Sequence, residues 1–330
     1  MEPGLQQAPQ LHTEIISWFT ANARDLPWRR PGCSPWGVFV SEIMLQQTPV
    51  VRVLPVWEQW MKRWPEPSAL AAEPSGEAVR AWGRLGYPRR ALRLHAAAAA
   101  MTDRFNGSVP ATREELLTLP GVGTYTAAAV ASFAFGRRET VVDTNIRRVH
   151  ARALSGKALP APALNAAEMR LAVELLPDDD AASVAWNASV MELGALVCTA
   201  RSPKCAVCPV RQRCAWVAAG EPAPDYVPKG QAWAGTDRQV RGALMAVLRQ
   251  AREPVPRNLL LGPADLTTAA AATDNNTATS SAEADAGTDA AALAKLHALQ
   301  APAEQLERAL AGLLADKLAE ENDAGLQLPV

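Results

Sequence analysis

Thr112-Arg-Glu-Glu-Leu-Leu-Thr-Leu-Pro-Gly-Val-Gly-Thr-Tyr-Thr-Ala127 is followed by an alanine-rich run and then by Arg137-Arg-Glu-Thr-Val-Val-Asp-Thr-Asn-Ile-Arg-Arg148. Leu119-Pro120-Gly121-Val122-Gly123 reads as a tight connection between two helices, because proline and two glycines cannot continue a helix cheaply. Glycine lacks a Cβ, so the chain at Gly121 and Gly123 can turn sharply and approach another backbone closely. A second helix is expected to start at about Gly123 and to carry Ala127–Ala129, Val130, Ala131, Phe133 and Phe135. Its first turn offers free N–H groups and a positive dipole end, which suit a phosphate. One carboxylate, Asp143, follows about twenty residues later. A helix-hairpin-helix ending in an aspartate is a device for gripping a nucleic-acid backbone and doing chemistry beside it.

Working outward, 330 residues suffice for one large or two modest domains. No apolar run approaches a membrane span. The start, Met1-Glu-Pro-Gly-Leu-Gln-Gln7, has no basic region and no apolar signal core, so a cytoplasmic, nucleoid-associated and bacterial protein is expected. In that reducing setting the five cysteines read as thiols or metal ligands. The net charge of −1 hides an asymmetry. Residues 265–330 hold 11 acidic and 3 basic side chains, a net of −8, so residues 1–264 carry a net of +7. A basic body with an acidic tail permits a polyanionic partner that the overall pI would argue against.

Residues 1–10 read as a loose, disordered leader. Leu11, Ile15, Ile16, Trp18 and Phe19 form a core-facing helical stripe. Ser34-Pro35 reads as an N-cap with proline at the first helical position, opening a helix through Val38, Val40, Glu42, Met44 and Leu45 to Gln46-Gln47. Thr48-Pro49 starts another, with Trp57, Trp60, Met61 and Trp64 as its buried face. Arg80, Arg84, Arg89, Arg90 and Arg93 lie in a stretch without an acid, around Leu85-Gly86-Tyr87-Pro88. That run reads either as a solvated surface helix or as phosphate contacts around a tyrosine free to stack on or wedge between bases. Residues 163–176 and 181–197 are expected to be helices. His95 and His150 read as helix-surface or satisfied residues.

Cys198, Cys205, Cys208 and Cys214 give Cys-x6-Cys-x2-Cys-x5-Cys, a spacing that suits tetrathiolate ligation of zinc or of a [4Fe–4S] cluster. Structural zinc commonly uses two paired knuckles and only one Cys-x2-Cys occurs, which favours iron–sulfur. Arg201, Lys204, Arg211 and Arg213 make the loop basic, and Cys33 is left over as an unpaired thiol. Beyond a linker at 226–238, residues 239–330 read as a small helical, winged-helix-like module: two or three helices, a disordered insert at 264–293, and a short hairpin at 320–328.

The hairpin, the downstream Asp143 and the cysteine loop together resemble the helix-hairpin-helix DNA glycosylase superfamily with an iron–sulfur cluster. Leu26-Pro27-Trp28-Arg29, Ser41-Glu42-Ile43-Met44-Leu45-Gln46-Gln47-Thr48, Gly83-Arg84-Leu85-Gly86-Tyr87 and Glu192-Leu193-Gly194-Ala195 look like the adenine DNA glycosylases within it. The resemblance covers about residues 10–230. It implies an all-α, two-lobed fold: a six-helix barrel at 28–145 with the hairpin at 112–135, and a cluster lobe made from 11–27 and 146–225, with DNA over the cleft between them. It further implies a monomer that removes adenine mispaired with 8-oxoguanine or guanine in duplex DNA. A C-terminal 8-oxoguanine-reading β domain, carried by many such enzymes, is not expected after residue 230, which leaves appreciable action on adenine opposite guanine.

Breaking an adenine–deoxyribose bond requires protonation of the leaving base and stabilisation of a developing oxocarbenium charge. Two carboxylates in different protonation states meet both needs. Glu42, in an apolar run that would raise its pKa, is the expected acid. Asp143 is expected to stay ionised toward the sugar. Alone, Glu42 reads as a helix-surface carboxylate and Asp143 as a helix cap; their matching motifs favour chemistry. Asn145 can hydrogen-bond either carboxylate or the sugar–phosphate. Tyr125 stands where related bifunctional enzymes carry a Schiff-base lysine, and no lysine occurs at residues 63–156, which argues for a monofunctional enzyme. The target base must be flipped out of the stack, with Gln46 and Tyr87 as candidates to fill or wedge the gap and Gln47 as a further DNA-binding candidate. The resemblance makes Trp28 and Arg29 pocket-wall residues, Glu192 a contact to the adenine edge, and Gly121, Gly123 and Arg147 DNA contacts. Two rivals remain at this point, a pyrimidine-damage glycosylase with lyase activity and a non-catalytic iron–sulfur DNA-binding module.

Overall fold

Side-chain caps decide where many of the helices begin. Ser34 accepts from the Gly37 N–H at 3.2 Å, Thr112 from Glu115 at 3.3 Å, Asp143 from Ile146 at 2.7 Å and Asp179 from Ala182 at 2.8 Å. The computed structural model describes residues 5–227, 230, 232–262 and 282–330, and their regular structure is almost wholly helical. The helices are α1 (Ala8–Asn22), α2 (Pro35–Leu45), α3 (Val50–Arg63), α4 (Pro67–Ala71), α5 (Ser75–Trp82), α6 (Arg89–Arg104), α7 (Arg113–Leu117) and α8 (Thr124–Phe135). They continue as α9 (Thr144–Ala153), α10 (Ala166–Glu174), α11 (Asp180–Leu196), α12 (Ala215–Ala218), α13 (Asp237–Gln250), α14 (Arg257–Leu261), α15 (Ala282–His297) and α16 (Ala303–Ala315). Two short strands, β1 (Glu320–Asn322) and β2 (Gly325–Gln327), form an antiparallel hairpin near the end of the chain. Among the described residues no helix is long and apolar enough to cross a membrane.

The chain divides into two compact units. The first comprises the described residues of Met1–Gln46 and Asp103–Lys229. In it α1, α9 and α11 pack together through Leu11, Ile15, Ile146, Val149, Trp186, Val190 and Leu193, and α2 packs on α8. The approach of α9 to α11 is close. A Cβ built on Gly194 would stand 2.7 Å from the Asn145 Cβ and 2.8 Å from its carbonyl oxygen. Both are fixed by the backbone of α9, so Gly194→Ala is expected to lower the unfolding free energy by about 1–3 kcal/mol, read as a lower urea midpoint at unchanged slope. His150, expected at a helix surface or satisfied, is instead a buried core residue stacked on Trp186 with ring centroids 6.3 Å apart. Its Nε2 has no hydrogen-bond partner, and burial pulls its pKa down to about 4, so it is neutral.

The second unit comprises Gln47–Thr102 and the described residues of Gly230–Val330. One centre is a tryptophan cluster, with Trp60 edge-on to Trp64 at 4.8 Å and to Trp82 at 5.7 Å. The other is the packing of α13 against α15 and α16 through Val240, Leu244, Leu248, Leu296, Leu310 and Leu313. Val255 exchanges two 2.8 Å backbone hydrogen bonds with Leu326. The order is thus helix, bridge strand, helices and hairpin, with the bridge strand pairing onto the hairpin's second strand, as in a winged helix.

Two expectations need correction. Residues 5–10 are helical rather than loose, because Pro9 sits in the first turn of α1. The expected disordered insert lies outside the described residues up to 281, but 282–293 belong to α15, which buries Ala292 and Leu296.

Candidate active site and cluster loop

Glu42 sits mid-way along α2, whose residues Trp36 to Met44 are all buried because that helix is apolar on nearly every side. Its carboxylate accepts from the Tyr125 hydroxyl of α8 at 3.0 Å. Burial pushes its pKa up to about 7, with the Asp143 charge adding to the rise while the Tyr125 hydrogen bond and the Arg29 charge oppose it. Glu42 therefore changes protonation state near neutrality. Burial raises the Tyr125 hydroxyl well above its ordinary value, with Glu42 and Asp143 adding to it, so Tyr125 stays a neutral donor.

Asp143 is the N-cap of α9, and both its oxygens are used. Oδ1 accepts from the Ile146 N–H and Oδ2 from the Asn145 amide, each at 2.7 Å. Burial raises its pKa, opposed by those donors and by Arg148. Asn145 Oδ1 in turn accepts from Arg148 at 2.7 Å. Arg148 also donates to the carbonyl oxygens of Cys198 at 2.6 Å and Gly194 at 2.7 Å. A one-way chain of donors thus runs Arg148→Asn145→Asp143, tied at its far end to the first cysteine of the metal-binding loop.

Glu192 is fully buried. Burial disfavours its charge, yet Arg24 and Arg29 hold it down to about 2. Arg24 grips both oxygens at 2.7 Å, and Arg29 donates at 3.0 Å. Glu192 is therefore an anion that aims two guanidiniums, and Arg29 keeps a buried Nη1 with no hydrogen-bond partner. Trp28 is buried beside this network in sequence. Gln46 donates to Thr126 Oγ1 at 3.2 Å.

Gly121 and Gly123 are exposed in the turn between α7 and α8. Gly121 takes a φ of +75°, which a side chain rarely tolerates, and Gly123 is an extended N-cap of α8 without a side-chain partner. Arg147, expected at DNA, is buried and committed to Glu168 at 2.6 Å and the Ala161 carbonyl at 2.7 Å. Its neighbour in sequence turned inward because α9 is buried on almost every side.

In the second unit Gln47 and Tyr87 are both exposed, with φ of +55° and +47°. Such backbone in non-glycine residues costs on the order of 1–3 kcal/mol and clusters at functional sites. The basic run around Tyr87 is not simply a solvated face. Arg90 is buried, donates to Thr48 Oγ1 at 3.1 Å and the Gly86 carbonyl at 3.0 Å, and lies over the Tyr87 and Trp82 rings at 5.3 and 5.4 Å.

The four cysteines line one recess together with Arg152, Arg211 and Trp216. Four thiols lining one recess fit a [4Fe–4S] cluster, which is held by four cysteines. Arg152 steadies the wall, donating to the Cys198 sulfur at 3.5 Å and to the Thr199 and Ala200 carbonyls at 2.7 and 3.1 Å. Cationic donors near thiolates suit an anionic cluster.

The sequence assigns no role to Arg24, Arg148 or Arg152, and it offers Arg90 only as a solvated or phosphate-contacting residue. Arg148 falls three residues after Asn145 on a helix, a spacing that could have revealed it. Arg24 lies 168 residues from Glu192, and no local signal connects them.

Residues 40–173 match the HhH-GPD superfamily of base excision DNA repair proteins, and residues 198–214 match the iron-sulfur binding domain of endonuclease III. The structure superposes on a thermostable thymine-DNA glycosylase with a TM-score of 0.58 at 27% identity, covering 65% of this chain and 98% of that one. It superposes on a non-covalent endonuclease III–DNA complex with a TM-score of 0.56 at 25% identity, covering 66% and 97%. Helical fold, hairpin and cysteine loop thus define a helix-hairpin-helix base excision repair enzyme that acts on DNA and holds a [4Fe–4S] cluster. The adenine DNA glycosylase of Mycolicibacterium smegmatis is 52% identical over 244 residues, 74% of this chain and 82% of that protein. The chain belongs to the adenine DNA glycosylase family, whose members are N-glycosyl hydrolases.

Proposed function

We propose that the enzyme is a monofunctional glycosylase. It hydrolyses the N-glycosidic bond of adenine opposite 8-oxoguanine or guanine and leaves an abasic site, acting as a monomer on chromosomal DNA. The observation that carries this reading is the Glu42–Tyr125 contact: a carboxyl poised near neutrality is bonded to a tyrosine at the position where a lysine would make a lyase. In the first step the Glu42 carboxyl gives its proton to the adenine ring. The C1′–N9 bond then breaks with its electron pair leaving on the base. The sugar becomes oxocarbenium-like, and the Asp143 carboxylate, held by Ile146 and Asn145, faces that charge without having to reorganise. Water adds at C1′ and its proton passes to Glu42, restoring the acid.

Arg29 Nη1, buried and without a partner, supports a hydrogen bond to the extruded base, and Glu192 fixes the direction of that guanidinium. The exposed turn at Gly121–Gly123 and the first turn of α8 suit a DNA phosphate. Gln46, Gln47 and Tyr87 are read as the groups that meet the distorted duplex. Cys198, Cys205, Cys208 and Cys214 hold the cluster, which supplies a rigid, charged anchor for the loop.

The test uses duplexes with adenine opposite 8-oxoguanine, guanine or thymine, under single turnover. Excision opposite 8-oxoguanine and guanine should outpace excision opposite thymine by about tenfold or more, the equivalent of roughly 1.4 kcal/mol in barrier. Equal rates on all three would remove the mispair from the proposal. Borohydride added during turnover should trap no enzyme–DNA adduct, because no amine lies at the hairpin. A trapped adduct would restore the lyase reading.

A further inference from the structure

We propose that the C-terminal module, α13 to the terminal hairpin, braces the 75–93 segment that presents Tyr87 and does not itself grip DNA. The proposal rests on the reading of Tyr87 as a residue that meets DNA.

Within the second unit the module bonds to that segment on both sides of the Tyr87 loop. On the α5 side, the Gly76 N–H donates to the Pro329 carbonyl at 2.8 Å. The fit leaves no room for a side chain: a Cβ on Gly76 would stand 2.3 Å from that oxygen. Two arginines then cross. Arg249 of α13 donates to the Val79 carbonyl at 3.0 Å, while Arg80 of α5 donates to the Ala251 carbonyl at 2.9 Å and to that of Arg249. Each guanidinium thereby satisfies carbonyls at the end of the other's helix. On the α6 side, Asp316 just past α16 pairs with Arg89 at 3.1 Å and with Arg241 of α13 at 2.5 Å.

Between these anchors the loop takes left-handed backbone at Gly83, Gly86 and Tyr87, with φ of +54°, +85° and +47°. A strained tyrosine persists only where its surroundings over-determine it. Arg90 supports the loop from inside, and the module holds both of its ends.

A winged helix that reads DNA needs cations on its second or third helix. Of the helices after α13, α14 carries Arg257, paired with Glu307 at 2.6 Å, α15 carries Lys295, and α16 carries Arg308, paired with Asp237 at 2.8 Å. Glu304 and Glu307 lie on α16, and residues 237–330 as a whole carry a net charge of −5. Such a surface repels phosphates, so its fit is to the arginines of the 75–93 segment.

The experiment compares the full-length enzyme with Arg249→Met, Asp316→Asn, their double variant and Tyr87→Ala. Binding to a duplex with an A:8-oxoG pair and to its matched counterpart is measured, together with fluorescence of a 2-aminopurine beside the adenine as a report of extrusion. The variants on the module side should lower the mismatch-over-match preference and the extrusion signal by about tenfold, a typical coupling between bonded groups. Matched-duplex affinity, its salt slope and the visible absorbance of the cluster should hold, which shows that the molecule is folded. If Tyr87→Ala loses the preference while the double variant keeps it, the brace is wrong. If Tyr87→Ala is itself silent, the reading of Tyr87 fails first. A shallower salt slope in the module variants would make the module a DNA contact, and tighter binding of every duplex by Asp316→Asn would make it a mask over Arg89. Either result overturns bracing.

Discussion

Glu42→Gln is expected to abolish adenine excision while making the protein harder to unfold. Glutamine keeps the length of the side chain and can still accept from the Tyr125 hydroxyl, but it cannot deliver a proton to the leaving base. Positioned general acids contribute about 10²–10⁴-fold, and single-turnover excision should fall by at least that much. The gain in stability follows from the same burial. The folded carboxyl titrates near 7, whereas the unfolded one titrates at the ordinary value of 4.5. The unfolded chain therefore binds fewer protons between those values, and the wild type loses stability as pH rises from 4.5 to 7. Above pH 7 the loss is complete. The variant should then be more stable by about 3 kcal/mol at pH 8 and by under about 1 kcal/mol at pH 5. Urea unfolding at the two pH values, beside excision on one duplex, reads both effects. A variant that is inactive and also less stable at pH 8 would mean that Glu42 is not held against its charge.

Asp143→Asn is expected to leave the helix and remove the catalysis. Asparagine caps a helix as well as aspartate does, so α9 should keep its start. What disappears is the negative charge facing the sugar, and with it the polarity of the chain that leads there. Arg148 and Asn145 only donate toward Asp143, and the Asp143 oxygens only accept. An amide at 143 places two donors face to face or leaves one bond unmade. Loss of one preorganised electrostatic group costs about 10²–10³ in rate. Circular dichroism and the visible absorbance of the cluster should match the wild type, while single-turnover excision falls by that factor. Wild-type rates would reduce Asp143 to a helix cap.

The sequence exposed those parts of the molecule in which neighbours along the chain do the work. Ser34 and Asp143 announce helix starts because a cap acts within three residues. The hairpin is legible because proline and glycine act on their own backbone. The cysteine loop is legible because its ligands fall within seventeen residues. The carboxylate pair needed the motifs around each member, since Glu42 and Asp143 are separated by a hundred residues. What stayed hidden was the commitment of the arginines. Arg147 and Arg148 are adjacent and chemically alike, yet one closes on Glu168 and the other on Asn145 and the cluster loop, because successive helix positions face different neighbours. Arg24 and Arg29 meet Glu192 only after α11 packs beside α1. The clasp of the last residues on Gly76 was equally out of reach, since a backbone bond between distant segments leaves no mark in side-chain pattern.

The most direct test of the paired-carboxylate mechanism is the pH dependence of single-turnover adenine excision by the wild-type enzyme on an A:8-oxoG duplex between pH 5 and 9. Glu42 must be protonated to act, and burial places its titration at about 7. The rate should therefore fall with rising pH, through an apparent pKa near 7, approaching tenfold per unit above it. A rate that is flat to pH 9, or that rises through neutrality, would contradict Glu42 as the proton donor.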